Sequence, residues 1–187
     1  MTLLESFLLA LALCVDSLVV STTCAMKSKM SYSRGVLLAF TFALFQGGFP
    51  LIGALIGNAC LSAIESVDHW IAFGLLAAVG IKMIVDGFRS GDEQKVLDIS
   101  RYWVICTLAV ATSIDAFVVG IGFGMNASLA RILLTVLIIF VVTFIVSLIG
   151  ITLGKQKIPV PEKWASLLAG LVLIGLGIKT LFEHGVF

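Results

Sequence analysis

Asp16 and Asp115 are the residues best placed to do chemistry, because each lies in the middle of a long apolar segment. In the predicted spans, each aspartate is about 20 Å from the end at which its span begins, at a helical rise of about 1.5 Å per residue. A charged aspartate near the bilayer centre costs roughly 2.5–3.5 kcal/mol, so an acid at this depth indicates function. No basic residue lies at a comparable depth, and we therefore expect the pair to bind protons or a cation.

Neutral oxygen atoms accompany the two acids in the sequence. Ser17 follows Asp16 directly, and Thr112 lies on the same helical face as Asp115. Carboxylate, hydroxyl and carbonyl oxygens are the ligands of hard divalent cations such as Mn²⁺ and Mg²⁺, and two aspartates neutralise such an ion completely. Glycines at 120, 122 and 124 weaken the helix after Asp115, and we expect a hinge or an unwound segment there.

The apolar segment that follows each aspartate segment adds a candidate ligand. It is Gln46 after the segment of Asp16 and Thr143 after the segment of Asp115. Pro50 has no N–H group, so the main-chain carbonyl of Gln46 receives no helical hydrogen bond. Gln46 can therefore offer two oxygen atoms, one from its side chain and one from its main chain. The alternative is that Pro50 only kinks the helix and that the nearby glycines allow close packing. The predicted metal ligands are Asp16, Asp115, Gln46, Thr112, Ser17 and Thr143.

Residues typical of soft-metal and redox sites are scattered along the chain. The four cysteines form no CxxC pair, and both histidines are expected at helix ends (Cys14, Cys24, Cys60, Cys106, His69, His184). Lys82 and Lys179 lie near helix ends, with Asp86 and Glu183 four residues later as expected partners. This pattern argues against a zinc or copper(I) site, and no resident cofactor is predicted.

The composition requires a membrane environment for these residues. The chain has 187 residues, 60% hydrophobic and 12% charged, with a net charge of +1; its mean hydropathy is +1.16. Soluble domains carry about 25% charged residues. A soluble globular enzyme, a disordered protein and a basic nucleic-acid binder are therefore excluded.

Hydropathy predicts six transmembrane helices, over about 3–25, 35–57, 70–88, 102–124, 132–154 and 164–182. Basic residues concentrate in alternate connections: one side has Lys27, Lys29, Arg34, Arg89, Lys95, Arg101, Lys155, Lys157 and Lys163, and the other has only Arg131. The positive-inside rule predicts a multi-pass protein of the cytoplasmic membrane with both termini outside the cytoplasm.

The two halves of the chain resemble each other. The segments 11–26 and 110–125 align with their aspartates matched, LIGxxxG occurs at 51–57 and again at 148–154, and GIK precedes an acid by four residues in both halves. Because each half has three spans, the second must be inverted relative to the first. We predict an all-α polytopic membrane protein built from two inverted three-helix repeats, residues 1–90 and 100–187, within one membrane domain.

Several stretches of the sequence resemble the MntP-type bacterial manganese efflux pumps, a family within the lysine-exporter-like superfamily. They are VDSLVVS (15–21), FQGGFPLIG (45–53), DHWIAF (68–73), KMIVDGF (82–88), ATSIDAFVVGIGF (111–123) and AGLVLIGLGI (169–178). In that family the two repeat-helix aspartates are regarded as essential, and they correspond to Asp16 and Asp115. Some relatives have Glu where this chain has Gln46, and the serine of the second repeat, Ser113, corresponds to Cys14 in the first.

The resemblance implies a secondary transporter, and not an enzyme, that exports Mn²⁺ as substrate from the cytoplasm, with protons as the expected coupling ions. The partners are thus Mn²⁺, protons and the lipid bilayer. An exporter of another divalent metal or of a small solute such as an amino acid is the alternative, although an amino-acid site would need a cation at the midplane. An intramembrane aspartyl protease would carry GxGD and Tyr-Asp motifs, and the residues before Asp16 and Asp115 match neither.

Overall fold

A computed structural model describes residues 3–28, 30–61, 102–124, 127–158 and 162–183, together with isolated helical residues at 73–74, 77–78, 81 and 84–85. The described part contains helices and no strands. Their bounds are α1 Leu3–Leu13, α2 Val15–Lys27, α3 Tyr32–Leu61, α4 Tyr102–Gly124, α5 Leu129–Lys155 and α6 Glu162–Glu183. Most of the predicted third span (70–88) lies outside the described residues, as do Lys82, Asp86, His69 and His184.

Four described segments are long and apolar enough to cross a membrane, namely Leu3–Met26, Tyr32–Asn58, Tyr102–Gly124 and Leu129–Lys155. In α5, large apolar side chains are exposed at every fourth residue (Leu133, Leu137, Val141, Ile145, Ile149). The opposite face of α5 is buried and carries Thr135, Thr143, Ser147 and the two glycines. A helix that turns its apolar face outward and its polar face inward is suited to lipid. The chain is therefore an all-helical, multi-pass membrane protein.

Contacts at the helix ends agree with spans that alternate in direction. At one end, the Ser6 and Thr135 hydroxyls hydrogen-bond at 3.0 Å, and Lys179 near the end of α6 forms an ion pair with Glu5 near the start of α1. The side chain of Glu183, the expected partner of Lys179, lies outside the described residues. At the other end, the Lys155 ammonium lies 3.2 Å from the centroid of the Tyr32 ring.

Glycines set the closest helix contacts, and these contacts follow a repeated pattern. A Cβ added at Gly53 of α3 would overlap with the backbone of α4 at Phe117, and one at Gly57 would overlap at Ile121. A Cβ added at Gly150 of α5 would crowd the Leu18 carbonyl of α2. In the alignment of the two halves, Gly150 corresponds to Gly53 and Leu18 corresponds to Phe117. The second span of each half thus packs against the first span of the other half in the same register.

The expected hinge after Asp115 is wrong. Helix α4 continues without interruption through Gly120, Gly122 and Gly124. A Cβ at Gly120 would lie 2.5 Å from the carbonyl oxygen of Pro50, and one at Gly124 would overlap with Ala54. These two glycines therefore allow α4 to approach α3 closely, as in other membrane helix pairs.

Two apolar clusters flank a polar layer. One cluster contains Leu9, Leu13, Ala116, Val119, Ile139 and Leu173 among others. The other contains Cys24, Leu38, Phe42, Ile105, Ala109 and Ile151 among others. Along the first span, α4 and α5, the residues between these clusters are the polar ones that the sequence singles out. The layer between the clusters is where the candidate site lies.

Candidate metal site

Gln46 connects the two membrane spans that carry the aspartates. Its side chain is fully buried. The amide nitrogen donates to the Leu13 carbonyl at 2.7 Å, and the amide oxygen accepts from the Ser113 hydroxyl at 3.0 Å. Asp16 follows Leu13 by three residues and Asp115 follows Ser113 by two. One side chain of α3 therefore ties together the segments that precede the two acids.

Helices α1 and α2 meet at Cys14, immediately before Asp16. Helix α1 ends at Leu13 and α2 begins at Val15, and the Leu13 carbonyl accepts from Gln46. The Cys14 backbone stays in the right-handed helical region; its N–H donates to Ala10 at 3.0 Å and its carbonyl accepts from Leu18 at 2.9 Å. The first span therefore continues as one helical segment past Asp16, and Gln46 takes up the Leu13 carbonyl beside the junction.

Asp115 is more buried than Asp16. Asp115 lies midway along α4 and is only 4% exposed. One of its carboxylate oxygens accepts from the backbone N–H of Ala116 at 2.8 Å. Asp16 is partly exposed. The two acids therefore differ in solvent access.

The predicted hydroxyl ligands fall into two groups. Thr112 donates to the Ala109 carbonyl of its own helix at 3.1 Å. Ser17 and Thr143 are fully buried, and their hydroxyls have no hydrogen-bond partner among the described residues. The same holds for Ser147, one turn after Thr143. A buried hydroxyl without a partner is costly, so these groups are suited to a water molecule or an ion.

The donor set consists of hard oxygens. Within the described ranges, no three His, Cys, Asp or Glu residues form a group that could hold a metal ion. The acids, the Gln46 amide and the hydroxyls are the ligand types that Mn²⁺ and Mg²⁺ accept, usually together with water. The structure links Gln46 to the segments beside both acids; coordination by the six predicted residues stays a prediction.

Three features of this layer escaped the predicted ligand set: Ser113, Ser147 and the Leu13 carbonyl. Ser113 lies two residues before Asp115 and one turn from Ala109 on the buried face of α4, and Ser147 lies four residues after Thr143. The available signal was the closeness of Ser113 to Asp115 in the sequence and, for Ser147, its position on the face of Thr143. The Leu13 carbonyl had none, because its role depends on a residue 33 positions away.

Comparison with known proteins decides the family. The model of the Mntp family, described as "Putative manganese efflux pump", matches residues 29–181. The chain belongs to the MntP family. Members named "Putative manganese efflux pump MntP" include one from Phocaeicola vulgatus, 42% identical over 98% of both chains. Those of Bacteroides thetaiotaomicron and Corynebacterium glutamicum are 40% and 36% identical, again over 98% of both chains. No solved structure matches the chain.

Proposed function

We propose that this MntP family member is a secondary transporter that exports Mn²⁺ from the cytoplasm and binds the ion between Asp16 and Asp115. The observation that carries the proposal is the buried Gln46 bridge, which connects the segments beside the two acids across three helices. The names of its relatives support manganese as the exported ion. Ser17, Thr143, Thr112 and Gln46 contribute neutral oxygens at the same level.

A six-helix architecture of two inverted repeats would place the acids together near the midplane. The repeated glycine contacts support this architecture, since Gly53 meets Phe117 where Gly150 meets Leu18. The position of the polar layer between two apolar clusters supports a midplane site. With the basic connections in the cytoplasm, both termini lie outside it.

Proton exchange would overcome the electrical cost of export. Moving a doubly charged ion against an inside-negative potential costs about 4.6 kcal/mol per 100 mV, from about 2.3 kcal/mol per charge. In our proposal, Asp16 and Asp115 each release one proton when Mn²⁺ binds from the cytoplasm, and each takes up one proton when the ion leaves outside. Exchange of two protons for one Mn²⁺ is electroneutral, so the membrane potential no longer opposes it.

The two acids do not have to act alike. Asp16 follows the junction of α1 and α2, where the Leu13 carbonyl accepts from Gln46, whereas Asp115 belongs to a helix packed closely against α3. We assign to Asp115 the fixed half of the site and to Asp16 the movable half. Movement of the first span at Cys14 would then change the distance between the carboxylates.

The test is to measure Mn²⁺ tolerance and cellular manganese content in cells that express Asp16→Asn or Asp115→Asn at wild-type levels. Asparagine keeps the size of the side chain and removes its charge, so we expect both variants to lose protection and to accumulate manganese. Glu162→Gln, at the first residue of α6, is the matched control and should export normally. Full protection by both aspartate variants would contradict the proposal. Profiling of other metals in the same cells distinguishes Mn²⁺ from another divalent substrate.

A further inference from the structure

The buried hydroxyls without partners are not spread evenly through the described helices. Ser17, Thr143 and Ser147 all lie in α2 and α5, and each is fully buried. The buried hydroxyls of α4 behave differently, because Thr112 donates to Ala109 and Ser113 donates to Gln46. The unpartnered buried hydroxyls among the described residues are therefore found on one side of the layer.

These hydroxyls belong to one interface. Gly150 of α5 packs against α2 at the Leu18 carbonyl and the hydroxyl oxygens of Ser21 and Thr22. Thr143 and Ser147 precede Gly150 by seven and three residues, so they lie on the same face of α5. We call the group Ser17, Ser21, Thr22, Thr143 and Ser147 the hydroxyl seam.

Oxygen lone pairs face this seam. Ser21 and Thr22 both donate their hydroxyl protons to the Leu18 carbonyl, at 3.0 and 2.7 Å. Their oxygens lie against Gly150 with lone pairs that can still accept. The unpartnered hydroxyls of Ser17, Thr143 and Ser147 can both donate and accept. The seam therefore offers neutral oxygens that can hold the water molecules around a cation.

The corresponding interface of the other half differs, because its buried polar side chains Gln46, the counterpart of Thr143, and Ser113 are bonded to each other. The α2 residues Ser17, Ser21 and Thr22 correspond to Ala116, Gly120 and Ile121 of α4, and Ser147 of α5 corresponds to Pro50 of α3. There the backbones of α3 and α4 meet directly through glycines on both helices. The α2–α5 and α3–α4 interfaces thus share the same glycine packing but differ in their polar groups.

We propose that the hydroxyl seam is the hydrated route by which a divalent metal cation reaches the aspartates from the cytoplasmic ends of α2 and α5. This inference rests on the proposed function. The seam begins beside Asp16 and continues through Ser147 and Thr22 toward Lys155, where α5 ends. Close packing at Gly150 and Gly154 closes it in the present conformation, so α5 must separate from α2 for the ion to pass.

The first test removes a seam hydroxyl that is not among the proposed ligands. Ser147→Ala should lower Mn²⁺ efflux from loaded inside-out vesicles, or cellular export, at least fivefold without lowering the melting temperature, because an unpartnered buried hydroxyl does not stabilise the fold. The control is Thr41→Val: Thr41 is also buried, but its hydroxyl donates to Leu37 within α3, and its loss should leave efflux unchanged. Wild-type efflux by Ser147→Ala, or a clear loss of its stability, would overturn the inference.

The second test measures water access directly. In inside-out vesicles, a small cationic methanethiosulfonate should modify Ser147→Cys at least tenfold faster than Ala54→Cys, with the modified residue identified by peptide mass spectrometry. Both positions are fully buried, but Ala54 lies at the α3–α4 interface. Equal rates would overturn the inference. If Asp16→Asn abolishes efflux while the seam variants keep it, only the route is wrong; if the wild type exports no Mn²⁺, the proposed function itself fails.

Discussion

Replacement of Gln46 by leucine tests whether this residue holds the polar layer together. Leucine fills a similar volume but removes the bonds to Leu13 and Ser113, of 2.7 and 3.0 Å. Hydrogen bonds between membrane helices contribute about 0.6 to 1.7 kcal/mol each, so the loss of two should lower the free energy of unfolding by about 1–3 kcal/mol. Unfolding of the purified protein in mixed micelles, followed by circular dichroism during titration with SDS, measures this change.

Replacement of Gln46 by glutamic acid provides a sharper comparison. A protonated carboxyl group can donate to the Leu13 carbonyl and accept from Ser113, whereas a carboxylate can only accept. The folded state therefore retains the proton more tightly than the unfolded state, and stability is lost as the pH rises. Gln46→Glu should approach wild-type stability in acid and lose up to about 3 kcal/mol once the group ionises.

Gln156→Leu is the matched control, because Gln156 is exposed just after the end of α5. Surface substitutions usually change stability by less than about 0.5 kcal/mol. If Gln46→Leu is as stable as this control, the bridge does not hold the layer. A Gln46→Glu variant whose stability is independent of pH would also refute the reasoning.

Two further predictions concern helix packing and the helix ends. Gly53→Ala should destabilise the fold by about 1–3 kcal/mol, since its Cβ overlaps with the Phe117 carbonyl. The control Gly48→Ala has open space around it and should show no loss. Equal melting temperatures for the two variants would contradict the packing. Lys179→Met should cost about 1–3 kcal/mol because it leaves the mostly buried Glu5 without this cation. Glu5→Gln in the same chain should recover most of that loss in a double-mutant cycle, and simple additivity would argue against the ion pair.

Sequence periodicity and hydropathy predicted the helical class and the described spans well, because lipid requires every spanning segment to satisfy its own backbone. The predicted segments 102–124 and 132–154 agree with α4 and α5. The contact of the Leu13 carbonyl with Gln46 was not predictable, since it depends on a residue of another helix. The prediction of a hinge at Gly120 was wrong because it considered only the low helix propensity of glycine. In the structure this glycine serves close packing against Pro50.

The candidate site was predictable in its chemistry more than in its geometry. An acid in an apolar segment is costly at any position, so Asp16 and Asp115 were visible from the sequence. Gln46 was expected to supply oxygens, and the structure additionally uses its N–H group to hold Leu13. The difference between the α2–α5 and α3–α4 interfaces became apparent only when Ser147 and its neighbours could be assigned to a shared interface.

The most direct test of the central claim is equilibrium binding of Mn²⁺ to the purified protein, followed by the loss of the free-ion EPR signal. The account predicts one tightly bound ion per chain, with the release of two protons, and a loss of at least a hundredfold in affinity for both Asp16→Asn and Asp115→Asn. The Glu162→Gln control should bind as the wild type does. Unchanged affinity in either aspartate variant would contradict a site shared by the two carboxylates.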